Sequence, residues 1–249
     1  MVLAPLAMGS VLAGAMTAIR RKSISDPEPL RAVMPDYTVG CKRIVPSNRW
    51  YPALAKPNVE LVTGALREVR GSTVIASDGA EREVDTIILG TGYHVTDIPF
   101  ACHVRGVGGA LLQDAWEGSP RAYLGTSIPG FPNFFMLLGP NTGLGHSSMV
   151  YMIESQVDHV LGALAAMERA GATTIEVRAD FHQKYNRELD ARMRRTVWEL
   201  GGCSSFYIDQ TGRNATLSPD WTWRFRRLAR RSPGDAYRLT RPARELVSA

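Results

Sequence analysis

Cysteine is scarce in this chain. Its 249 residues hold three, at positions 41, 102 and 203. They are widely spaced, odd in number and form no C-x-x-C, so neither a disulfide framework nor a zinc site is indicated, and a disulfide reductase is disfavoured. A reducing, cytoplasmic setting fits. Long apolar runs are also lacking. The nearest, residues 2–19, carries Leu3, Leu6, Met8, Val11, Leu12, Met16 and Ile19 but is weakened by Pro5, Gly9 and Gly14. Its cations, Arg20-Arg21-Lys22, follow the run, whereas a secretory signal has them in front. An interior helix, or a ragged start from a truncated reading frame, is expected rather than a membrane anchor. There are no repeats or low-complexity tracts. A dinucleotide fingerprint is missing too. Gly106-Val107-Gly108-Gly109 comes nearest, but its sixth position is Leu111, and neither a parallel-type strand before it nor a helix pattern after it is present.

Acidic residues fall short of basic ones, 24 against 29, for a net charge of +5. Much of the excess sits late, in Arg192, Arg194 and Arg195 and in Arg224, Arg226, Arg227, Arg230 and Arg231. Such runs suit nucleic acid, a membrane surface or a phosphorylated cofactor, and most often are a solvated face. With 45% hydrophobic and 21% charged residues, the chain can build one large or two small domains.

The organising stretch runs from Phe131 to Gly171. Phe134-Phe135-Met136-Leu137-Leu138 is a wholly apolar run suited to a strand covered on both faces. Gly139-Pro140-Asn141-Thr142-Gly143-Leu144-Gly145 then excludes regular structure and lets the backbone approach something closely. His146-Ser147-Ser148 offers N-caps. From Met149, Val150, Ile153, Val157, Val160, Leu161 and Leu164 recur at helical spacing, with Gly171 as the stop. Strand, glycine loop and helix N-terminus together present N–H groups and a positive dipole end to an anion or an electron-rich ring.

Elsewhere, Asp26-Pro27-Glu28-Pro29 reads as a turn-forming linker. Lys42 and Arg43 are adjacent cations on a glycine-bounded loop; an anionic ligand would suit them, and on spacing alone two solvated surface charges suit them better. Strands are expected at 59–62, in a meander at 66–70, 73–77 and 81–84, and in a buried run Asp85–Leu89 that enters Gly90-Thr91-Gly92. Residues 100–112 suggest irregular β structure. A strand at Thr174–Val177, a helix from Asp180 to Leu200, a strand at Ser204–Ile208 and a surface segment at Trp221–Arg231 complete the pattern.

Gly40-Cys41-Lys42-Arg43, Asp85 to Tyr93, Phe131 to Phe135, Gly139 to His146 and Gly202-Cys203-Ser204-Ser205 come in an order that resembles the C-terminal part of a flavin-containing monooxygenase of the Baeyer–Villiger type. The resemblance covers most of the chain from about Asp26. It implies an α/β fold: the C-terminal part of a two-dinucleotide-binding-domain flavoprotein, with the β-meander, parallel strand/helix units and no N-terminal Rossmann fingerprints. On that basis residues 1–25 are an apolar segment, 26–98 the end of the NADPH-domain region and 99–249 the C-terminal FAD-domain portion.

In that family NADPH reduces FAD, and the reduced flavin uses O₂ to insert oxygen into a ketone or to oxygenate a heteroatom. The resemblance makes Arg43 the active-site arginine, which meets negative charge developing at the flavin. It gives Lys42 to the 2′-phosphate of NADPH, and Gly90, Thr91 and Gly92 to the turn linking the two cofactor domains. Gly139, Pro140, Asn141, Gly145, His146 and Met149 fall in the loop and helix start under the flavin. No metal is implied. Partners would be a small organic substrate (ketone, sulfide or amine) and a missing N-terminal half, with no nucleic acid and no membrane. Two departures stand out: Phe206 where relatives often have Trp, and Ser218-Pro219-Asp220 in place of a Trp-Pro-Gly-like stretch. Both glycine fingerprints lie upstream in the family, so the chain is expected to be inactive alone, or to be half of a split enzyme. Uncovered apolar surface, with aggregation or oligomerisation, should follow.

Overall fold

The computed structural model describes residues 5–145, 147–231 and 234–242, with side chains from Ala13 on. Two compact units emerge. The smaller holds Leu6–Asp36 and Ile44–Tyr93; the larger holds Tyr37–Arg43 and the described residues from His94 on.

In the smaller unit, helix α1 spans Pro5–Ser23 and ends in the three cations. No helix among the described residues is long and apolar enough to cross a membrane. The expected linker at Asp26 is instead the start of helix α2, Pro27–Ala32. Proline at the first helical position loses no hydrogen bond, and the Asp26 carboxylate accepts from the Glu28 N–H at 3.0 Å. After the short helix α3, Trp50–Leu54, the meander forms as anticipated: β1 (Leu66–Arg70), β2 (Thr73–Ala76) and β3 (Glu81–Glu83), antiparallel in the order β1-β2-β3. Two expected strands are absent. Residues 59–62 and 85–89 are irregular, and Ile88 and Leu89 are 90% and 76% exposed. An apolar run becomes a buried strand only between neighbouring strands, and none flanks this one here.

In the larger unit, the irregular β structure expected at 100–112 is present as one isolated antiparallel bridge between Arg105 and Leu111, accompanied by 3₁₀ turns at Pro99–Cys102 and Val107–Gly109. Short helix α4 (Leu112–Ala115) precedes helix α5, Met149–Ala170, which is capped by Gly171 in the left-handed conformation at φ 57°. β4 (Thr174–Val177) leads into α6 (Ala179–Met193), α7 (Val197–Leu200) and α8 (Thr222–Ala229), and β5 (Tyr237–Thr240) pairs antiparallel with β4. The expected helix to Leu200 is thus interrupted at residues 194–196. Residues 204–208 form no strand, and Trp221–Arg231 is mostly helical. No parallel ladder forms among the described residues; Gly143 and Leu217 make one isolated parallel bridge. The fold is mixed α/β with antiparallel strands, which corrects the expected parallel strand/helix units.

Residues 134–138 are not a strand either. Their backbone groups find other partners: the Met136 N–H donates to the Thr126 carbonyl and the Leu138 N–H to the Gln156 side-chain oxygen, each at 2.9 Å. Helix α5 has the expected bounds but not the expected face. Met152, Ser155, Gln156, His159 and Ala163 are buried, while Val150, Val157, Leu161 and Leu164 are exposed. The buried polar groups are satisfied. The Gln156 amide donates to Leu124 O, Gly125 O and Thr126 Oγ1 at 3.0–3.1 Å. The outward stripe matches the expectation of uncovered apolar surface. Of the late arginines, Arg192 and Arg224 pair with Asp220, Arg226 with Glu154 and Asp158, and Arg230 with Asp158.

Cys41 and Cys203 are joined as a cystine, with Cα atoms 6.1 Å apart and 162 positions between them. This corrects the expectation of no disulfide. Sequence spacing could not show it, because the pairing depends on Tyr37–Arg43 packing against the end of α7. The free thiol is the exposed Cys102.

Candidate functional site

Two of the loops singled out in the sequence meet one short helix. From one side, the Thr38 N–H donates to the Gly201 carbonyl at 2.9 Å, and Gly40 lies against the Val197 side chain. From another, Gly145 packs on the Trp198 ring; a Cβ there would stand 3.4 Å from it. Helix α7 is therefore a shared wall between the Lys42–Arg43 loop and the glycine loop. Gly201 allows the close approach, because a Cβ on it would sit 2.7 Å from the Cys41 Cβ.

Lys42 and Arg43 are both exposed, and neither forms an ion pair among the described residues. The Lys42 ammonium stands 4.6 Å from the centre of the Tyr37 ring. Arg43 lies close enough to Tyr207 to oppose the upward push that burial gives that phenol. Tyr207 is buried against Met193 and Leu217, and the exposed Phe206 ring tilts against it, with centroids 4.2 Å apart.

The glycine loop divides into an inward half and an outward half. Asn141, left-handed at φ 59°, is turned inward. Its amide donates to Asn214 O at 2.7 Å and Leu217 O at 3.0 Å, and its oxygen accepts from Arg213 Nη2 at 2.6 Å. Pro140 is buried, and Gly139 and Gly143 face the chain's own backbone at Gly125 and Thr216. These glycines thus permit protein-to-protein contact. Gly145, Ser147 and Ser148 are exposed, and Met149 is half-buried. Ser148 occupies the N-cap position of α5 without a side-chain bond to the first turn. His146 lies outside the described residues. Gly90, Thr91 and Gly92 are exposed irregular chain in the smaller unit, Gly92 at φ 81°.

Arg213 was not anticipated. It is nearly buried and joins three segments: Nε to Asp190 at 2.8 Å, Nη1 to the Pro120 carbonyl at 2.9 Å, and Nη2 to Asn141. No spacing signals it, since its partners lie 23, 93 and 72 positions away. A cleft of about 380 Å³ lined by Trp116, Arg121, His182, Asn186 and Asp190 contains none of the expected site residues.

A second buried chain of hydrogen bonds ties α5 to α8 and β5. The tautomer that satisfies both ring nitrogens of His159 has Nδ1–H donating to the Ala229 carbonyl at 2.9 Å and Nε2 accepting from the Tyr237 hydroxyl at 2.8 Å. The Ser127 hydroxyl completes the chain at Tyr237. Burial holds the His159 pKa below 6.5, and burial also lowers His182. An unfolded chain takes up these protons more readily than the folded one. Stability is therefore full above pH 6.5 and falls as the pH drops through that value toward the folded pKa values. Urea midpoints should be level near neutrality and decline toward pH 5, and His159→Gln should flatten that decline; a midpoint insensitive to pH would contradict the burial assignment.

No family model matches the chain. It is 50% identical over 221 residues to a Baeyer–Villiger monooxygenase of Pseudomonas aeruginosa, covering 88% of this chain and 42% of that protein. It is 47% identical over 228 residues to a Baeyer–Villiger monooxygenase of Streptomyces coelicolor, covering 91% and 44%. Its fold superposes on the crystal structure of the OTEMO complex with FAD and NADP at a TM-score of 0.81 and 25% identity, covering 93% of this chain and 44% of that one. The fold thus matches part of the solved monooxygenase structures, among them a cyclohexanone monooxygenase from Rhodococcus sp. Phi1. The chain is a homologue of the Baeyer–Villiger monooxygenases over part of their length, spanning less than half of the curated relatives it matches.

Proposed function

We propose that this chain is the C-terminal portion of an FAD- and NADPH-dependent monooxygenase that inserts oxygen into a ketone or oxygenates a sulfide or amine, and that it works in the cytoplasm only with an N-terminal half. The observation that carries the proposal is the 50% identity to a Baeyer–Villiger monooxygenase across nearly the whole chain. Residues 26–98 would close the NADPH-binding region and 99–249 would complete the FAD domain. The residues present fit an anionic, electron-rich group: Lys42 and Arg43 have no carboxylate partner among the described residues, and the first turn of α5 lacks a side-chain cap. They provide no pyrophosphate cradle, because no G-x-G-x-x-G turn is present.

Bound FAD would supply the oxygen activation. Arg43 would hold a fixed positive charge toward the oxygen that becomes negative in the transition state. Lys42, a compact cation, suits the 2′-phosphate of NADPH. Gly145 and Met149, with His146 between them, would bring the α5 N-terminus toward the flavin. Gly139, Pro140 and Asn141 would hold that loop in shape from behind, and Gly90, Thr91 and Gly92 would link the cofactor regions.

The test joins this chain to the portion of the Pseudomonas aeruginosa relative that it does not match. The joined protein should be yellow and oxidise NADPH with oxygen uptake in the presence of a ketone, while the chain alone should be colourless and inactive. A colourless, inactive fusion that folds would reject the proposal. The exposed stripe of Val150, Val157, Leu161 and Leu164 favours a second version, in which the halves assemble as separate chains. Co-expression without a covalent link should then restore the same activity.

A further inference from the structure

Lys42 and Arg43 follow directly on Cys41, and the cystine partner Cys203 comes three residues after the end of α7, the wall that both loops share. We infer that the Cys41–Cys203 cystine is a redox-reversible positioning clamp for these two cations, so that oxidation state sets how well the chain holds the phosphate end of a nicotinamide cofactor. The inference rests on the proposed roles of Lys42 and Arg43 and adds a control over them.

Four observations support it. Cys41 is wholly buried although both residues after it are exposed, so the cystine is the last fixed point before the cations. The Cα separation of 6.1 Å lies within the range a disulfide spans without moving the backbone. Little else pins the segment: its backbone contacts are the Thr38 to Gly201 bond and the Cys41 N–H to the Thr38 carbonyl, at 2.9 and 3.0 Å. Finally, the two ends differ in exposure: Cys203 is half-buried whereas Cys41 is wholly buried, which makes Cys203 the residue at which exchange with an external thiol would begin. In a reducing compartment a cystine of this kind is more often a reversible couple than a permanent brace.

The chemistry balances with a low-molecular-weight disulfide as oxidant. The Cys203 thiolate attacks one sulfur of that disulfide and releases its first thiol, leaving a mixed disulfide on Cys203. The Cys41 thiolate then attacks the Cys203 sulfur, forms the S–S bond and expels the second thiol. Two protein thiols are oxidised, one small disulfide is reduced to two thiols, and their two protons pass to those thiols. A low-molecular-weight thiol reverses each step.

The first test uses the chain as it stands. Denatured without reductant it should titrate one thiol, Cys102, and after reduction three. Trypsin cuts after Lys42 and Arg43, and those cuts should be about tenfold slower in the oxidised folded protein than in the reduced one, since cleavage follows the population of the loosened loop. Any residue 1–42 product should stay linked to the remainder on a non-reducing gel. Three thiols still present after incubation with oxidised glutathione, or equal cleavage in both states, overturns the clamp.

The second test uses the fusion described above. Reduction should raise KM for NADPH several-fold with a smaller change in kcat, oxidised glutathione should restore it, and Lys42→Ala should raise KM in both states and remove the redox response. Cys203→Ala, which leaves Cys41 in its packed site, should behave as the reduced form in either state. A KM indifferent to oxidation state overturns the positioning role. An inactive fusion would reject the proposed function instead, and the thiol count with the trypsin rates would still decide the clamp.

Discussion

Replacing Arg213 with methionine should cost the larger unit about 3–5 kcal/mol, the usual consequence of removing one partner of a buried charged pair. The guanidinium is 10% exposed and serves three acceptors on three separate stretches of chain. Without it, the Asp190 carboxylate keeps only Arg121, at 3.5 Å and near the surface. The Asn141 oxygen and the Pro120 carbonyl lose a donor in the interior, which adds a desolvation cost. Lysine in its place keeps the charge but not the planar fork, so it should recover only part of the loss. Tryptophan fluorescence during urea unfolding reports the effect, because four of the five tryptophans, at 116, 198, 221 and 223, belong to this unit. A change under about 1 kcal/mol would mean that water replaces the guanidinium at all three acceptors. Because Asn141 shapes the loop before α5, the variant should also loosen Gly139–Gly145.

In the fusion of this chain with the missing portion of its relative, Arg43→Ala should reduce product formation by about 10²–10³, the usual effect of removing one preorganised group that meets developing charge. Arg43 suits this part because it is exposed, has no competing carboxylate among the described residues, and stands beside Tyr207 on a loop fixed at Cys41. Lys42→Ala should act differently: a higher KM for NADPH with kcat largely kept, since the 2′-phosphate is remote from the reacting atoms. Steady-state rates of ketone oxidation and NADPH consumption separate the two. If Arg43→Ala keeps product formation within about threefold of the parent, the catalytic assignment fails.

How far the sequence anticipates this structure depends on where each element finds its partners. The β-meander was legible because its turn residues and its pairing are local: Gly71 and Asp78-Gly79 stand at its corners. The bounds of α5 were legible for the same reason, in Met149 and the left-handed Gly171. The buried face of α5 was not. Gln156 and His159 look like surface residues until the carbonyls at 124, 125 and 229 are brought to them by folding. Residues 85–89 mislead in the opposite sense, because an all-apolar run signals burial without saying which strands provide it.

The candidate site divides along the same line. The cation pair and the exposed start of α5 could be picked out as motifs. Asn141 was picked out for a ligand-facing loop, and the structure engages its side chain in bonds that hold the loop. Arg213 and the Cys41–Cys203 pair carried no signal, because their partners are set only by the tertiary fold.

The stretch from Ile44 to Tyr93 interrupts the larger unit, which reaches back to Tyr37–Arg43 for one of its pieces. During synthesis that piece leaves the ribosome long before anything it binds. At about 5–20 residues per second, Cys41 waits roughly 8–30 s for Cys203, 162 positions later, to be made. The meander can zip up in the meantime from neighbouring strands alone. Slow closure of the Tyr37–Arg43 segment is therefore built into the gene order, and a nascent chain halted before residue 203 would carry a finished hairpin sheet and an orphan thiol.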